Sequence, residues 1–255
     1  MLHFAASAYV GESVANPAKY YENNITSTLN LLQAMLKGNC KNIIFSSTCA
    51  TYGNPLSLPI NELHPQNPIN PYGYTKLVIE QMLKDFAHAY GLRFCALRYF
   101  NAAGASNLFN LGESHHPETH LIPIIIQSAL KQREGFEVYG GNLDTKDGSC
   151  VRDYIHIDDL GAAHILALSY CLNGGANQAF NLSNNQGYSV FEVIKAIEKY
   201  AHTKLNYSIK PKREGDPAVL IGSSERAREI LGWRAHFNLE NIIQTALRWH
   251  TNPRY

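Results

Sequence analysis

At 255 residues, 45% of them hydrophobic and 17% charged, the chain has apolar material for one large or two small globular domains with a sizeable core. A formal net charge of +1 excludes a global attraction to nucleic acid or to an anionic membrane, so any affinity for phosphate must be local. Five cysteines, at positions 40, 49, 95, 150 and 171, form no Cys-x-x-Cys and no even framework, which excludes a disulfide scaffold and fits the reduced thiols of a cytoplasmic protein.

Residues 1–6 read as a short apolar strand with no turn or cap before it, like an interior strand. The segment Met1 to Ser7 lacks the basic and long apolar regions of a secretory signal, and no apolar run of about 18 residues follows. Pro17 opens a helical pattern in which Ile25, Leu29, Leu32 and Leu36 recur at helical spacing until Gly38. Residues 42–47 form a nearly continuous apolar strand, of the kind buried on both faces of a parallel sheet. A Pro/Asn-rich loop occupies 54–71, a helix runs over about 72–90 to the stop signal Gly91, and residues 93–100 return as a strand. This alternation predicts a parallel α/β sheet with right-handed crossovers, whose functional groups lie at the carboxyl ends of the strands. Ser7, Ser46–Thr48 and Asn101 occupy those ends.

Residues 101–120 are irregular and hold His115, His116 and His120. No carboxylate or cysteine pattern is read beside them, so loop histidines are expected there and no metal. A helix follows over 123–133, a short strand over 136–140 and turns over 142–148. Residues 151–156 read as a strand opening on the pair Arg152–Asp153, and Asp158 caps an apolar helix that ends near Gly174. After a strand at 180–183, a helix at 189–202 and a basic loop at 211–217, amphipathic helices at about 223–231 and 239–250 close the chain.

The candidate chemistry centres on Tyr72 and Lys76, four residues apart and therefore on one helical face. A free phenol titrates near pH 10, so half-populating its anion at neutral pH takes a shift of about 3 units, roughly 4 kcal/mol. One cation about 4 Å away at an effective dielectric near 20 supplies about that much. The pair can thus make a base, and Thr48, ending an apolar strand, offers a hydroxyl to relay a proton to a substrate alcohol. Taken alone, Tyr-x-x-x-Lys reads equally as a solvated helical pair; the ordered set of strand, Ser-Ser-Thr, loop, Asn-Pro-Tyr and helix is what singles it out.

The motifs Val-Gly-Glu-Ser-Val at 10–14, Tyr-Tyr-Glu-Asn-Asn at 20–24, Phe-Ser-Ser-Thr at 45–48, Asn-Pro-Tyr-Gly-x-x-Lys at 70–76, Leu-Arg-Tyr-Phe-Asn at 97–101 and Val-Arg-Asp-Tyr-Ile-His at 151–156 occur in that order. Together they resemble the UDP-glucose 4-epimerase family, a branch of the extended short-chain dehydrogenases/reductases. The resemblance implies a Rossmann-like domain holding NAD, over residues 1–101 with return segments at about 151–183, and a smaller UDP-sugar domain mainly over 102–255. It implies that Tyr72 takes the proton of the sugar 4-hydroxyl, that Thr48 relays it, and that Lys76 binds the nicotinamide ribose and lowers the Tyr72 pKa. Phe4, Ala5, Ala6, Asn23, Ser46 and Tyr99 would complete the cofactor contacts. Asn101, the backbone near His120 and Leu121, Tyr139, Arg152, Arg213 and Asp216 would hold the UDP-hexose. Arginines suit a diphosphate and Tyr139 offers a face to uracil; surface ion pairs for the arginines and a core role for Tyr139 are the plain alternatives.

Leu220 falls where bulk limits N-acetylated substrates in the family, and Ser223 where many members carry Asp or Asn. The family's opening Gly-x-x-Gly-x-x-Gly, a pyrophosphate cradle, does not occur in these residues. The expectation is therefore of a chain lacking roughly 80 N-terminal residues, about three strand–helix units, and impaired in holding NAD. Two other readings remain beside the epimerase. One is a dehydratase or decarboxylase of the same fold, against which Cys49-Ala50 stand where dehydratases carry Asp-Glu. The other is a non-catalytic remnant or interaction subunit. Dimerisation through helices such as 17–37 and 72–90, as in relatives, is left open.

Overall fold

The structure is a computed structural model that describes residues 1–213 and 217–253. In chain order the first elements are β1 (Leu2–His3), α1 (Val10–Ala15), α2 (Pro17–Tyr20), a π-helical turn (Tyr21–Thr26), α3 (Ser27–Lys37), β2 (Asn42–Thr48), a 3₁₀ turn (Cys49–Thr51), α4 (Pro71–Tyr90) and β3 (Arg93–Tyr99). Then come β4 (Asn101–Ala103), α5 (Leu121–Ala129), β5 (Phe136–Tyr139), β6 (Val151–His156), α6 (Ile157–Leu172), β7 (Gln178–Leu182), β8 (Gly187–Ser189), α7 (Val190–Ala201), β9 (Tyr207–Lys210), β10 (Val219–Leu220), α8 (Glu225–Leu231) and α9 (Leu239–Thr251).

Two compact units result. The first comprises residues 1–99, 162–182 and 223–233. Its sheet has the order β1-β2-β3-β7, parallel throughout, which is the Rossmann-like arrangement expected from the alternation of elements. Leu32 and Met35 of α3 and Ile79 and Leu83 of α4 pack on Ile43, Phe45, Phe94 and Ala96 of the sheet. The second unit comprises 100–161, 183–222 and 234–255. Its strands run β10-β6-β4, with β8 antiparallel to β6 and a separate β5-β9 pair. Its core joins Ile122, Ile125 and Ile126 of α5, Val193, Ile194 and Ile197 of α7, and Ile242 and Ile243 of α9.

Three local results differ from the sequence reading. The first strand pairs over Leu2 and His3 only, and α1 follows it. The long helix expected from Pro17 is interrupted by the π turn, where Asn24 is fully buried. Its amide substitutes for a peptide: Oδ1 accepts from the Ser7 backbone N–H at 2.8 Å, and Nδ2 donates to the Ser7 carbonyl at 3.0 Å and to Thr75 Oγ1 at 3.1 Å. Residues 101–103, read as irregular, pair with β6, with Ala103 buried and Asn101 and Ala102 exposed.

α4 is docked on the sheet by a buried polar network. Ser47 Oγ donates to Glu80 at 2.6 Å, and Arg98 grips both Glu80 oxygens at 2.9 and 2.6 Å. Arg98 also donates to the Tyr52 hydroxyl at 2.8 Å, which donates to Asn181 of β7 at 2.7 Å. Burial alone would raise the Glu80 carboxyl, but its bonds to Arg98, Ser47 and Gln66 hold it below the usual carboxylate range. Removing one member strands the other's charge in the interior. Arg98→Ala is therefore expected to cost about 3–5 kcal/mol of stability, read as a fall in the urea midpoint.

Candidate active site

Asn70 caps α4 by accepting the Gly73 N–H at 2.8 Å, and Pro71 occupies the first turn, so the helix starts immediately before Tyr72. Gly73 is required by the close approach to the preceding loop, since a Cβ there would lie 2.5 Å from the Ala50 carbonyl. The contact brings the start of α4 against the end of β2. Tyr72, Lys76 and Glu80 then lie at i, i+4 and i+8, one stripe of the helix. Each meets a different one of three adjacent residues of β2: Tyr72 hydrogen-bonds the Thr48 side chain, Lys76 Nζ donates to the Ser46 carbonyl at 2.8 Å, and Glu80 accepts from Ser47.

The parallel register sets Thr48 beside Tyr99. Tyr99 hydrogen-bonds Ser46 by its side chain and lies 2.5 Å from His164 Nε2 of α6. Phe4, exposed at the end of β1, stacks on the same imidazole with centroids 4.8 Å apart. Ala5 is exposed and Ala6 half-buried in the turn that Asn24 clamps, and Asn23 donates to Ser7 Oγ at 3.1 Å. Thr48, Tyr72, Lys76, Ser46, Tyr99 and Phe4 thus belong to the first unit, gathered around the carboxyl ends of its strands.

The electrostatics differ from the sequence expectation in one respect. Burial pushes the Tyr72 phenol up to about 12, outweighing the Thr48 hydrogen bond that favours its anion. Burial likewise pushes the Lys76 ammonium down to about 8. The anticipated pull of Lys76 on Tyr72 is overcome because Nζ is directed at the Ser46 carbonyl, 4.9 Å from the Phe45 ring centre and 5.9 Å from that of Tyr72. Burial also raises Tyr99 above its ordinary value.

In the second unit Asn101 is exposed at the start of β4, His120 is the N-cap residue of α5, and Leu121 is its first residue. Arg213 lies over the Tyr139 ring at 3.8 Å, and the Tyr139 hydroxyl donates to Glu137 at 2.6 Å. Arg152 is half-buried and donates to the carbonyls of Val151 at 2.9 Å and Ala218 at 3.4 Å; Leu220 is its partner in the β10–β6 register. Asp216 lies outside the described residues. Asp153, the partner that the plain alternative of a surface ion pair would give Arg152, is fully buried and accepts the backbone N–H groups of Asn184 at 2.7 Å and Gly222 at 3.4 Å.

The histidine loop also differs, because Glu113 and Glu118 stand beside His115 and His120. Sequence reasoning missed Asn24, Glu80 and His164 as well. Glu80 was legible as the next step of the Tyr72–Lys76 stripe, whereas Asn24 and His164 announce themselves only through tertiary contacts. The five cysteines are all free thiols. Among the described residues no helix is long and apolar enough to cross a membrane.

A parallel sheet with a Thr-Tyr-Lys group at its carboxyl edge defines a nucleotide-dependent oxidoreductive class, and the chain belongs to the NAD dependent epimerase/dehydratase family, whose model matches residues 1–183. That family is one of enzymes. Within it, the chain is 50% identical over 251 residues to the UDP-glucose 4-epimerase, an isomerase, of Rhizobium meliloti (strain 1021), covering 98% of this chain and 76% of that one. The crystal structure of UDP-glucose 4-epimerase from Brucella ovis in complex with NAD superposes with a TM-score of 0.94 at 49% identity, over 97% of this chain and 76% of that one. The enzyme from Bifidobacterium longum, in complex with NAD+ and UDP, gives a TM-score of 0.94 at 41% identity, over 99% and 76%.

The buried ammonium carries a stability signature. Lys76 titrates near 10.5 when unfolded and near 8 when folded, so between these values the unfolded chain binds more protons and stability rises with pH. Below pH 8 the cost of burying the charge is complete, up to about 3 kcal/mol. Lys76→Met is expected to raise the urea midpoint at pH 7 and to lose that advantage progressively towards pH 10, when both proteins are unfolded across the range.

Proposed function

We propose that the chain interconverts UDP-glucose and UDP-galactose by oxidation and re-reduction at C4 of the sugar, with NAD as cofactor. The observation that carries this reading is the convergence of Thr48, Tyr72 and Lys76 at the end of β2.

The residues fit the nicotinamide and ribose end of the cofactor. An ammonium has three donors, and Lys76 directs one to Ser46 while its charge faces two aromatic rings, a donor set suited to a ribose diol. The turn after β1, pinned through Ser7 by Asn24, supplies backbone at Phe4, Ala5 and Ala6, and Tyr99 closes the group. Assignment stops at the pyrophosphate, for which the sequence holds no Gly-x-x-Gly-x-x-Gly. When bound, NAD supplies the reversible hydride acceptor.

Tyr72, as its anion, takes the proton of the 4-hydroxyl, and Thr48 holds the departing proton's path through its own hydroxyl. The proton must leave a phenol that burial, against the Thr48 hydrogen bond, holds near 12. A cation beside the phenol stabilises its anion, and the Lys76 ammonium is the group the site offers for this. Tyr72 then returns the proton to the oxygen of the rotated keto sugar. In the second unit Arg213 and Arg152 are assigned to the diphosphate, Tyr139 to the uracil face, and Asn101 and the His120–Leu121 backbone to the remaining polar groups, with Asp216 beside Arg213 in sequence. A cytoplasmic location and pairing of two copies through residues 17–37 and 72–90 belong to the same reading.

The test is to incubate the purified chain with UDP-galactose and excess NAD, which a chain without the glycine cradle is expected to hold weakly, and to separate the products. UDP-glucose is expected, and Tyr72→Phe should lower its rate by about 10²–10⁴-fold without weakening UDP binding measured by calorimetry. A 4-keto-6-deoxy or decarboxylated product would instead indicate the dehydratase or decarboxylase chemistry of the same fold, and no product with intact UDP binding would indicate a binding subunit.

A further inference from the structure

Within the second unit, the loop leading into α5 gathers another group of side chains. Glu113, His115, Glu118 and His120 each offer one ligand atom, and these atoms all lie within 4.8 Å of one another. Both imidazoles present Nδ1 to the same Glu113 oxygen: His115 at 2.9 Å, with His120 hydrogen-bonded to it. The two rings stand edge to face, their planes 89° apart and their centroids separated by 5.1 Å, so both can turn a nitrogen to one ion without stacking on each other. Glu118 lies on the third side, 3.7 Å from His115 Nδ1.

The group is held from behind. Trp249 of α9 donates to the Glu113 carbonyl at 2.9 Å. Gly112 lies against the same indole so tightly that a Cβ would come within 2.4 Å of it. The Glu118 side chain is 4% exposed, and its Oε1 accepts the backbone N–H groups of Thr119 and His120, each at 2.8 Å. The Glu118 carboxylate and the Glu113 backbone are therefore fixed before any ligand arrives, which lowers the ordering cost of binding. Two carboxylates at this range repel, and a doubly charged cation between them relieves that repulsion most effectively.

We propose that Glu113, His115, Glu118 and His120 bind one divalent transition-metal ion of the zinc class. Two imidazole nitrogens with carboxylate oxygens suit Zn2+ far better than Ca2+ or Mg2+, which take oxygen sets. His120 caps α5 and Leu121 begins it, so the ion would tie residues 113–120 to the amino end of that helix. Its role is structural.

The whole chain, stripped with a chelator, is titrated with ZnCl2 by calorimetry and with CoCl2 by visible absorption; neither measurement requires turnover. One Zn2+ per chain and the intense bands of tetrahedral Co2+ are expected. Glu113→Gln and the double variant His115→Ala/His120→Ala should each weaken binding at least about tenfold and abolish the bands, with far-UV circular dichroism unchanged. Should the double variant lose its fold, Glu113→Gln alone decides. Absence of stoichiometric binding, or binding that Glu113→Gln leaves unaltered, would overturn the assignment.

Discussion

Everything at the candidate catalytic edge depends on the buried pairing of Glu80 with Arg98. A carboxylate and a guanidinium with almost no solvent exposure can persist only if both are fully satisfied, and here Ser47, Gln66 and Tyr52 complete the set. Because Glu80 is on α4, Ser47 on β2 and Arg98 on β3, satisfying the charges fixes the helix along and around its axis relative to the sheet. Hydrophobic contacts between Ile79, Leu83 and the sheet provide adhesion, but they are non-directional. The ionic contact selects one register.

That register then determines the chemistry. Two turns before Glu80 the same helical stripe presents Tyr72, and one turn before it Lys76, so the strand residues Ser46, Ser47 and Thr48 receive three different side chains in three successive positions. The alternation of the strand directs Ser47 to α4 while Ser46 and Tyr99 share a contact on the face reached by His164. The outcome is a phenol and an ammonium that are both held in their neutral-favouring range by burial. Such a pair is costly in the chain by itself and becomes useful when polar ligand groups share its surroundings, a recurrent property of sites evolved for proton transfer.

The sheet, the long helix α4 with its Asn70 and Gly91 ends, and the Tyr72–Lys76 pair were legible in the sequence because each rests on local periodicity or on capping chemistry. The buried ion pair was half legible: Glu80 continues the stripe, but its partner lies on a different strand. Asn24 was not legible, since a polar residue inside a helical pattern reads as solvent-facing until the turn that buries it is seen. The same limit applies to Glu113 and Glu118, whose approach to the histidines depends on how an irregular loop closes on Trp249. For Asp153, adjacency to Arg152 suggested a pair, whereas the fold directs its carboxylate to backbone donors.

The π turn at Tyr21–Thr26 has a consequence for how this chain can vary. It holds a wider loop of backbone than a regular helix, equivalent to one surplus residue. Loss of a single residue there would restore an uninterrupted α-helix and preserve helical propensity. It would also rotate the preceding segment by about 100°, carrying Asn24 away from Ser7 and Thr75. Length, more than composition, is thus the property under constraint in this segment: substitutions that keep the residue count can be absorbed, while a deletion that improves the helix would release the turn carrying Phe4, Ala5 and Ala6.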